Sequence, residues 1–200
     1  MKFVCLDLEG VLVPEIWIGV AQRTGIEELR LTTRDISDYD VLMKRRIEIL
    51  QSEGLRIGDI HEVIGSLDPL SGAREFLERL RSLVQVAIIS DTFYQFAEPL
   101  MRKLSWPSLY CNDLEIDGEG RITGYRLRQP DQKRQAVQAF KSLKFRVLAA
   151  GDSYNDLSML DEADAGILFR PPERLVGEYP QFPVTQTHDE LHDALMNGGG

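Results

Sequence analysis

Lys2-Phe3-Val4-Cys5-Leu6, closed by Asp7-Leu8-Glu9-Gly10, is the stretch from which the rest of the chain can be read. A short apolar run without clean polar alternation has the pattern of a parallel strand covered on both faces, and here it breaks off at a carboxylate. The same form recurs at residues 84–89 (VQVAII) before Ser90-Asp91-Thr92. It recurs at 145–150 (FRVLAA) before Gly151-Asp152-Ser153-Tyr154-Asn155-Asp156, and again at 165–169 (AGILF). Between these runs lie helical patterns. Residues 73–83 carry Phe76, Leu77, Leu80 and Leu83 at helix spacing, 93–104 carry Phe96, Ala97, Leu100 and Met101, and 133–143 carry Ala136, Val137, Phe140 and Leu143. A further helix is expected over 155–163. Strands and helices alternating in this way predict an α/β fold with a doubly wound parallel sheet.

Two segments depart from the alternation. Residues 14–71 show no strand pattern and read as three helices, over 15–23, 39–53 and 57–66, separated by Gly25, the polar stretch 32–38 and Gly54. An insertion of that length is too long for a loop and predicts a helical subdomain, with the core formed by 1–13 and 72–200. Residues 110–116 and 122–127 flank Asp117-Gly118-Glu119-Gly120 and predict a β-hairpin. Residues 189–196 predict a last helix, and 198–200, all glycine, read as frayed.

The chain has 200 residues, with 23 Lys+Arg against 32 Asp+Glu, and its net charge of -9 argues against a nucleic-acid or anionic-membrane partner. Cys5 and Cys111 make neither a disulfide framework nor a zinc site and read as reduced thiols. Asp7 and Glu9 interrupt the N-terminal apolar stretch, which excludes a secretory segment. No run reaches the roughly 18 apolar residues of a membrane helix. A soluble, cytoplasmic protein is expected, monomer or homodimer.

Chemistry is suggested by the polar residues that end each strand. In an open parallel sheet, ligands bind beyond the carboxyl ends of the strands. Three strands would deliver Asp7, Glu9, Ser90, Asp91, Asp152 and Asp156 to one such edge. Carboxylates so gathered repel one another unless protonated or bound to a cation, and Mg²⁺ suits two carboxylates and a phosphate. Asp7 and Glu9, two apart, share a side in extended geometry and can divide labour between nucleophile or ligand and acid/base. An Asp-x-Glu pair alone reads as a strand end turning into solvent; the three strand ends together are more specific.

With these motifs in order, the sequence resembles the haloacid dehalogenase superfamily of phosphohydrolases over nearly the whole chain, with its Rossmannoid core. Asp7-Leu8-Glu9-Gly10-Val11 matches the first motif, Ser90 the second, Lys133 the third, and Gly151 to Asp156 the fourth. The insertion corresponds to the family's small helical cap. Within the superfamily, Glu15, Arg46 and Asn155-Asp156 resemble phosphoserine phosphatases. Residues 8–17 (LEGVLVPEIW) resemble a bacterial subfamily that is both phosphoserine phosphatase and phosphoserine–homoserine phosphotransferase, active in serine and threonine metabolism. Most of the superfamily has Asp where this chain has Glu9.

The resemblance implies phosphoryl transfer through an aspartyl-phosphate. Asp7 is the implied nucleophile and Glu9 the acid/base. Mg²⁺ is held by Asp7, Asp152 and the backbone carbonyl of Glu9. Ser90 and Lys133 bind phosphoryl oxygens, and Asp156 holds Lys133 or a metal-bound water. Arg46 grips the substrate carboxylate and Glu15 its ammonium, while Asn155 contacts phosphate or acceptor. Asp91 and Thr92 each read either as a site residue or as a cap of the next helix, and Tyr154 is open. His188 and His192 read as a solvated helix face rather than a zinc pair, and His61 as structural or exposed. Lys44 and Arg45 read as solvated, and Trp17, Trp106, Phe93 and Phe96 as core. Competing readings are a phosphatase of the same fold for another small phosphomonoester, a metal-free dehalogenase, and a receiver-like signalling domain.

Overall fold

The computed structural model describes residues 1–32, 35–36 and 38–197. The expected fraying of 198–200 and part of the 32–38 stretch lie outside the described residues. In chain order the elements are β1 (Lys2–Leu6), α1 (Ile16–Thr24), a 3-10 turn (Glu27–Arg30), α2 (Tyr39–Ser52), α3 (Ile57–Gly65) and α4 (Ala73–Leu83). Next come β2 (Gln85–Phe93), α5 (Tyr94–Lys103), β3 (Leu109–Ile116), β4 (Ile122–Arg126) and α6 (Gln132–Ser142). The chain continues through β5 (Arg146–Gly151), a 3-10 turn (Tyr154–Asp156), α7 (Leu157–Glu162), β6 (Ala165–Phe169), α8 (Glu173–Glu178), β7 (Val184–Thr185) and α9 (His188–Asn197).

The strands form one sheet in the order β4-β3-β2-β1-β5-β6-β7. Every pairing is parallel except β3 with β4, the hairpin. The chain winds outward from β1 in both directions, so the ends of β1, β2 and β5 meet at the point where the order reverses, where such sheets bind ligands. Strand residues alternate between two buried faces. Val4, Leu6, Ile88, Leu148 and Phe169 pack with α4, α5 and α9, whereas Cys5, Ala87, Ile89, Val147 and Leu168 pack with α6 and α7. Burial on both sides is why the runs lack polar alternation. The helical insertion, through Ile16, Val20, Met43 and Ile60, joins the first of these cores.

Several expectations need correction. β2 runs on to Phe93, because its pairing with β3 shifts register between Ile89 and Phe93 and keeps Ser90, Asp91 and Thr92 inside the strand. Asp91 caps nothing: α5 begins after Phe93 with no side-chain cap. The helix expected over 155–163 splits, because the Asp156 carboxylate folds back to accept from the Asp152 and Ser153 amides, at 2.9 and 3.1 Å, and closes a separate turn. Trp106 is 58% exposed rather than core, since Ser105 and Trp106 both adopt left-handed backbone where the chain turns from α5 into β3. His188 is buried, not solvated. Three short elements carried no sequence signal: the 3-10 turn at Glu27–Arg30, α8 and the two-residue β7. Among the described residues, no helix is long and apolar enough to cross a membrane.

Candidate active site

Asp7 is the first residue past β1. Its amide donates to Ala150 O at 2.9 Å and extends the sheet by one bond, while its Oδ1 accepts from the Leu8 amide at 2.8 Å. This aims the side chain off the strand ends, where it is 4% exposed. Lys133, the second residue of α6, reaches in beneath it. Its Nζ lies 3.0 Å from Asp7 Oδ1, 2.6 Å from Asp156 Oδ1 and 3.9 Å from Asp91 Oδ2. Burial alone would lower the Lys133 ammonium, but Asp156, Asp7 and Asp91 outweigh it and hold it well above its ordinary value.

One ammonium cannot neutralise the four carboxylates at this edge. Asp7, Asp152 and Asp156 each place an oxygen within 4.8 Å of the others. Burial first, then repulsion from Asp156, raises the carboxyls of both Asp7 and Asp152, the latter to about 7. Asp156 is fully engaged: one oxygen takes Lys133, the other the two amides of its own turn. Asp7 and Asp152 are therefore the carboxylates left to meet a cation. Hard oxygen donors carrying excess negative charge fit a divalent ion such as Mg²⁺. The chain makes room for this crowding with glycine. A β-carbon on Gly10, at φ +75°, would fall 2.4 Å from Asp152 Cγ, and one on Gly151 would fall 2.3 Å from Asp156 Cγ. Gly151→Ala should push Asp156 off Lys133 and lower turnover at least tenfold with some loss of stability. Wild-type kinetics for this variant would show that Asp156 tolerates displacement.

Glu9 faces the other way, toward the insertion. Its Oε2 accepts from the Ile16 amide at 2.8 Å, at the start of α1. Burial first, then the neighbouring Glu15 carboxyl, pushes Glu9 up to about 8, against the pull of Ile16 and Arg46. Arg46 on α2 is 6% exposed. Its guanidinium sits 4.4 Å over the Trp17 ring and donates Nη2 to Leu31 O at 2.7 Å, while its buried Nε has no partner among the described residues. Trp17, read as core, thus also supports Arg46.

The remaining expected residues fall at the same edge. Ser90 is 2% exposed, and its Oγ accepts from the Thr92 amide at 3.3 Å. Asn155 donates to Asp91 Oδ2 at 3.0 Å, so in this arrangement its amide serves Asp91. Burial would raise the Asp91 carboxyl, but Lys133, Gln132 and Asn155 together hold it below the ordinary range. Tyr154 lies apart, bonded to Glu178 at 2.9 Å. Two residues went unnoticed in the sequence. Gln132 donates to Ser90 O at 2.8 Å and Asp91 Oδ1 at 2.9 Å, and Tyr39 reaches Asp91 O at 3.4 Å. Tyr39 lies seven residues before Arg46, two turns along the same helix face, and that spacing was the available signal.

The raised carboxyls make a stability prediction for metal-free protein. Glu9, ordinarily 4.5, is held at about 8, and Asp152, ordinarily 3.8, at about 7. The folded state keeps protons that the unfolded chain releases. Their contribution is whole below the ordinary values and is lost as pH rises through 7 and 8. In EDTA, Tm should fall between pH 6 and 9, and Mg²⁺ should recover it at pH 8. A Tm that rises over that range would contradict these environments.

The family model "haloacid dehalogenase-like hydrolase" matches residues 1–164. The chain is 61% identical to "Phosphoserine phosphatase ThrH" of Pseudomonas aeruginosa over 191 residues, covering 96% of this chain and 93% of the relative. It is 60% identical to "Phosphoserine phosphatase" of Pseudomonas syringae pv. tomato over 191 residues, covering 96% and 81%. A crystal structure of phosphoserine phosphatase from T. onnurineus superposes with a TM-score of 0.74 at 26% identity, covering 98% of this chain and 94% of that one. With the four motifs gathered at one edge of the sheet and a model match across most of the chain, this protein belongs to the haloacid dehalogenase-like hydrolase family.

Proposed function

We propose that the chain is a cytoplasmic, Mg²⁺-dependent phosphoserine phosphatase that also passes the phosphoryl group to homoserine, through a phosphorylated Asp7. The carrying observation is that two carboxyls two residues apart face different partners. Asp7 lies 3.0 Å from the Lys133 ammonium beside Asp152, whereas Glu9 turns to the Ile16 amide, where burial and Glu15 push it up to about 8. A monoester needs that pair: one carboxylate to attack phosphorus, one acid to protonate the leaving oxygen. The activity named for relatives at 60 and 61% identity supports the substrate.

In the first half, an Asp7 oxygen bonds to phosphorus as the bond to the seryl oxygen breaks, and the Glu9 proton goes to that oxygen. In the second half, Glu9, now a carboxylate, takes a proton from water or from an acceptor hydroxyl. That oxygen bonds to phosphorus and the bond to Asp7 breaks. Mg²⁺ at Asp7, Asp152 and the Glu9 carbonyl would supply charge neutralisation for the attacking carboxylate and the phosphoryl oxygens. Lys133 and Ser90 hold phosphoryl oxygens, and Asp156 fixes Lys133. Residues 14–71 act as a cap over this edge. Arg46, with its buried, unpartnered Nε, takes the substrate carboxylate, for which a guanidinium fork is suited, and Glu15 takes the ammonium.

Glu9 in place of the family's usual Asp moves the acid/base by about 1.5 Å, and misplacement on that scale can cost on the order of a hundredfold in rate. Slower attack by water lengthens the life of the phosphoenzyme and lets a second hydroxyl compete. The test is turnover of phosphoserine with Mg²⁺, with and without homoserine, in wild type and Glu9→Asp. Wild type should form O-phosphohomoserine, and Glu9→Asp should shift the ratio toward free phosphate by roughly tenfold to a hundredfold. If no O-phosphohomoserine forms under any condition, the transfer reading is lost. Faster turnover of a monoester lacking carboxylate and ammonium would remove phosphoserine as the substrate.

A further inference from the structure

His188 opens α9, beyond the residues matched by the family model, yet its side chain reaches the loop just past the nucleophile. It is 6% exposed, with its ring tilted between Phe76 at 5.2 Å and Phe169 at 4.8 Å. Nε2 lies 2.8 Å from the carbonyl oxygen of Val11, and Nδ1 lies 3.1 Å from that of Ser71. Val11 sits two residues past Glu9, on the chain's way into the helical insertion. Ser71 sits on the way out, just before α4. The two crossings also meet directly, where the Leu70 amide donates to Leu12 O at 2.9 Å.

A carbonyl oxygen only accepts, so the ring bonds here through its N–H, and both nitrogens lie within reach of such an oxygen. The far end of α9 is itself fixed to β1, by Lys2 Nζ donating to Met196 O at 2.6 Å. The ring is thus mounted on a helix anchored to the core and grips both strands that lead to the insertion.

We propose that His188 is a positioning residue: its ring, with one nitrogen against each crossing, clamps the entry and exit of the helical insertion to the core, and so fixes Glu9, Glu15 and Arg46 relative to Asp7. It touches neither substrate nor the reacting atoms. Its effect passes through the Val11 and Ser71 carbonyls, where an error of about an ångström in the acid or the carboxylate grip would be felt in rate.

One measurement on the folded protein needs no substrate. In His188→Gln, which shortens the reach to both crossings, exchange of the Leu70 amide should accelerate at least tenfold with β1 amides unchanged. Unchanged exchange at Leu70 would overturn the clamp. The kinetic arm rests on the proposed phosphoserine reading. His188→Gln should lose roughly tenfold in kcat/KM for phosphoserine, mainly through KM. Phosphorylation of Asp7 by acetyl phosphate, which has no carboxylate or ammonium to grip, should stay near wild type. Equal losses with both donors would mean general damage and count against the proposal. Failure of wild type to use phosphoserine would remove the substrate reading and leave the exchange test of the clamp standing.

Discussion

Asp7→Asn should abolish turnover, lowering kcat by roughly four orders of magnitude or more, while leaving the fold intact. The amide keeps the size of the carboxylate and can still accept from the Leu8 amide, as Asp7 Oδ1 does at 2.8 Å. What it loses is the proposed nucleophile. The electrostatics oppose any stability penalty. Burial, Asp156 and Asp152 all raise the Asp7 carboxyl, against only the pull of Lys133, so removing this negative charge relieves a crowded site. In metal-free buffer Tm should therefore be equal to or higher than that of wild type. Phosphate release and thermal unfolding measured on one preparation check both halves. Retained turnover would refute the nucleophile, and a large fall in Tm would mean that the activity loss was a folding defect.

Lys133→Met should do the reverse and damage fold and activity together. The ammonium is 2% exposed and is shared among Asp156, Asp7 and Asp91. A methionine fills the same channel but leaves three carboxylates without their cation. Removing one partner from a buried ion pair costs about 3–5 kcal/mol. The deficit should be largest where Asp7 is ionised and should shrink as acid protonates it. Urea unfolding at pH 5 and pH 8 should thus show the greater loss at pH 8. A deficit independent of pH would mean that Lys133 supports the fold by packing alone. Activity should fall by at least a hundredfold, since Asp7 and the phosphoryl oxygens both lose their positive neighbour.

How far the sequence could be read depended on whether the relevant interaction was local. Asp7, Ser90 and Asp152 were legible because the end of an apolar run is a local event: the run stops and a polar residue comes next. Strands β1, β2, β5 and β6 and the helix over 73–83 came from the same local periodicity. Gln132 was hidden although it adjoins Lys133, because its task, bonding Ser90 O and Asp91, depends on where β2 lies beside α6. The extension of β2 through Asp91 depended on a register shift against β3 that composition does not encode. His188 misled most. Its spacing to His192 looks like one exposed helix face, but the ring turns inward because two carbonyls from distant crossings wait there. Trp106 erred in the other direction, since left-handed backbone at Ser105 and Trp106 turns a large aromatic outward.

The central claim is that phosphoryl transfer runs through Asp7. The most direct measurement is rapid acid quench of the enzyme during turnover of phosphoserine with Mg²⁺, then peptide mass spectrometry. One phosphoryl group should appear on Asp7, build up within a single turnover, and decay faster when homoserine is present. Steady turnover with Asp7 never modified, or with the phosphoryl group on another residue, would contradict it.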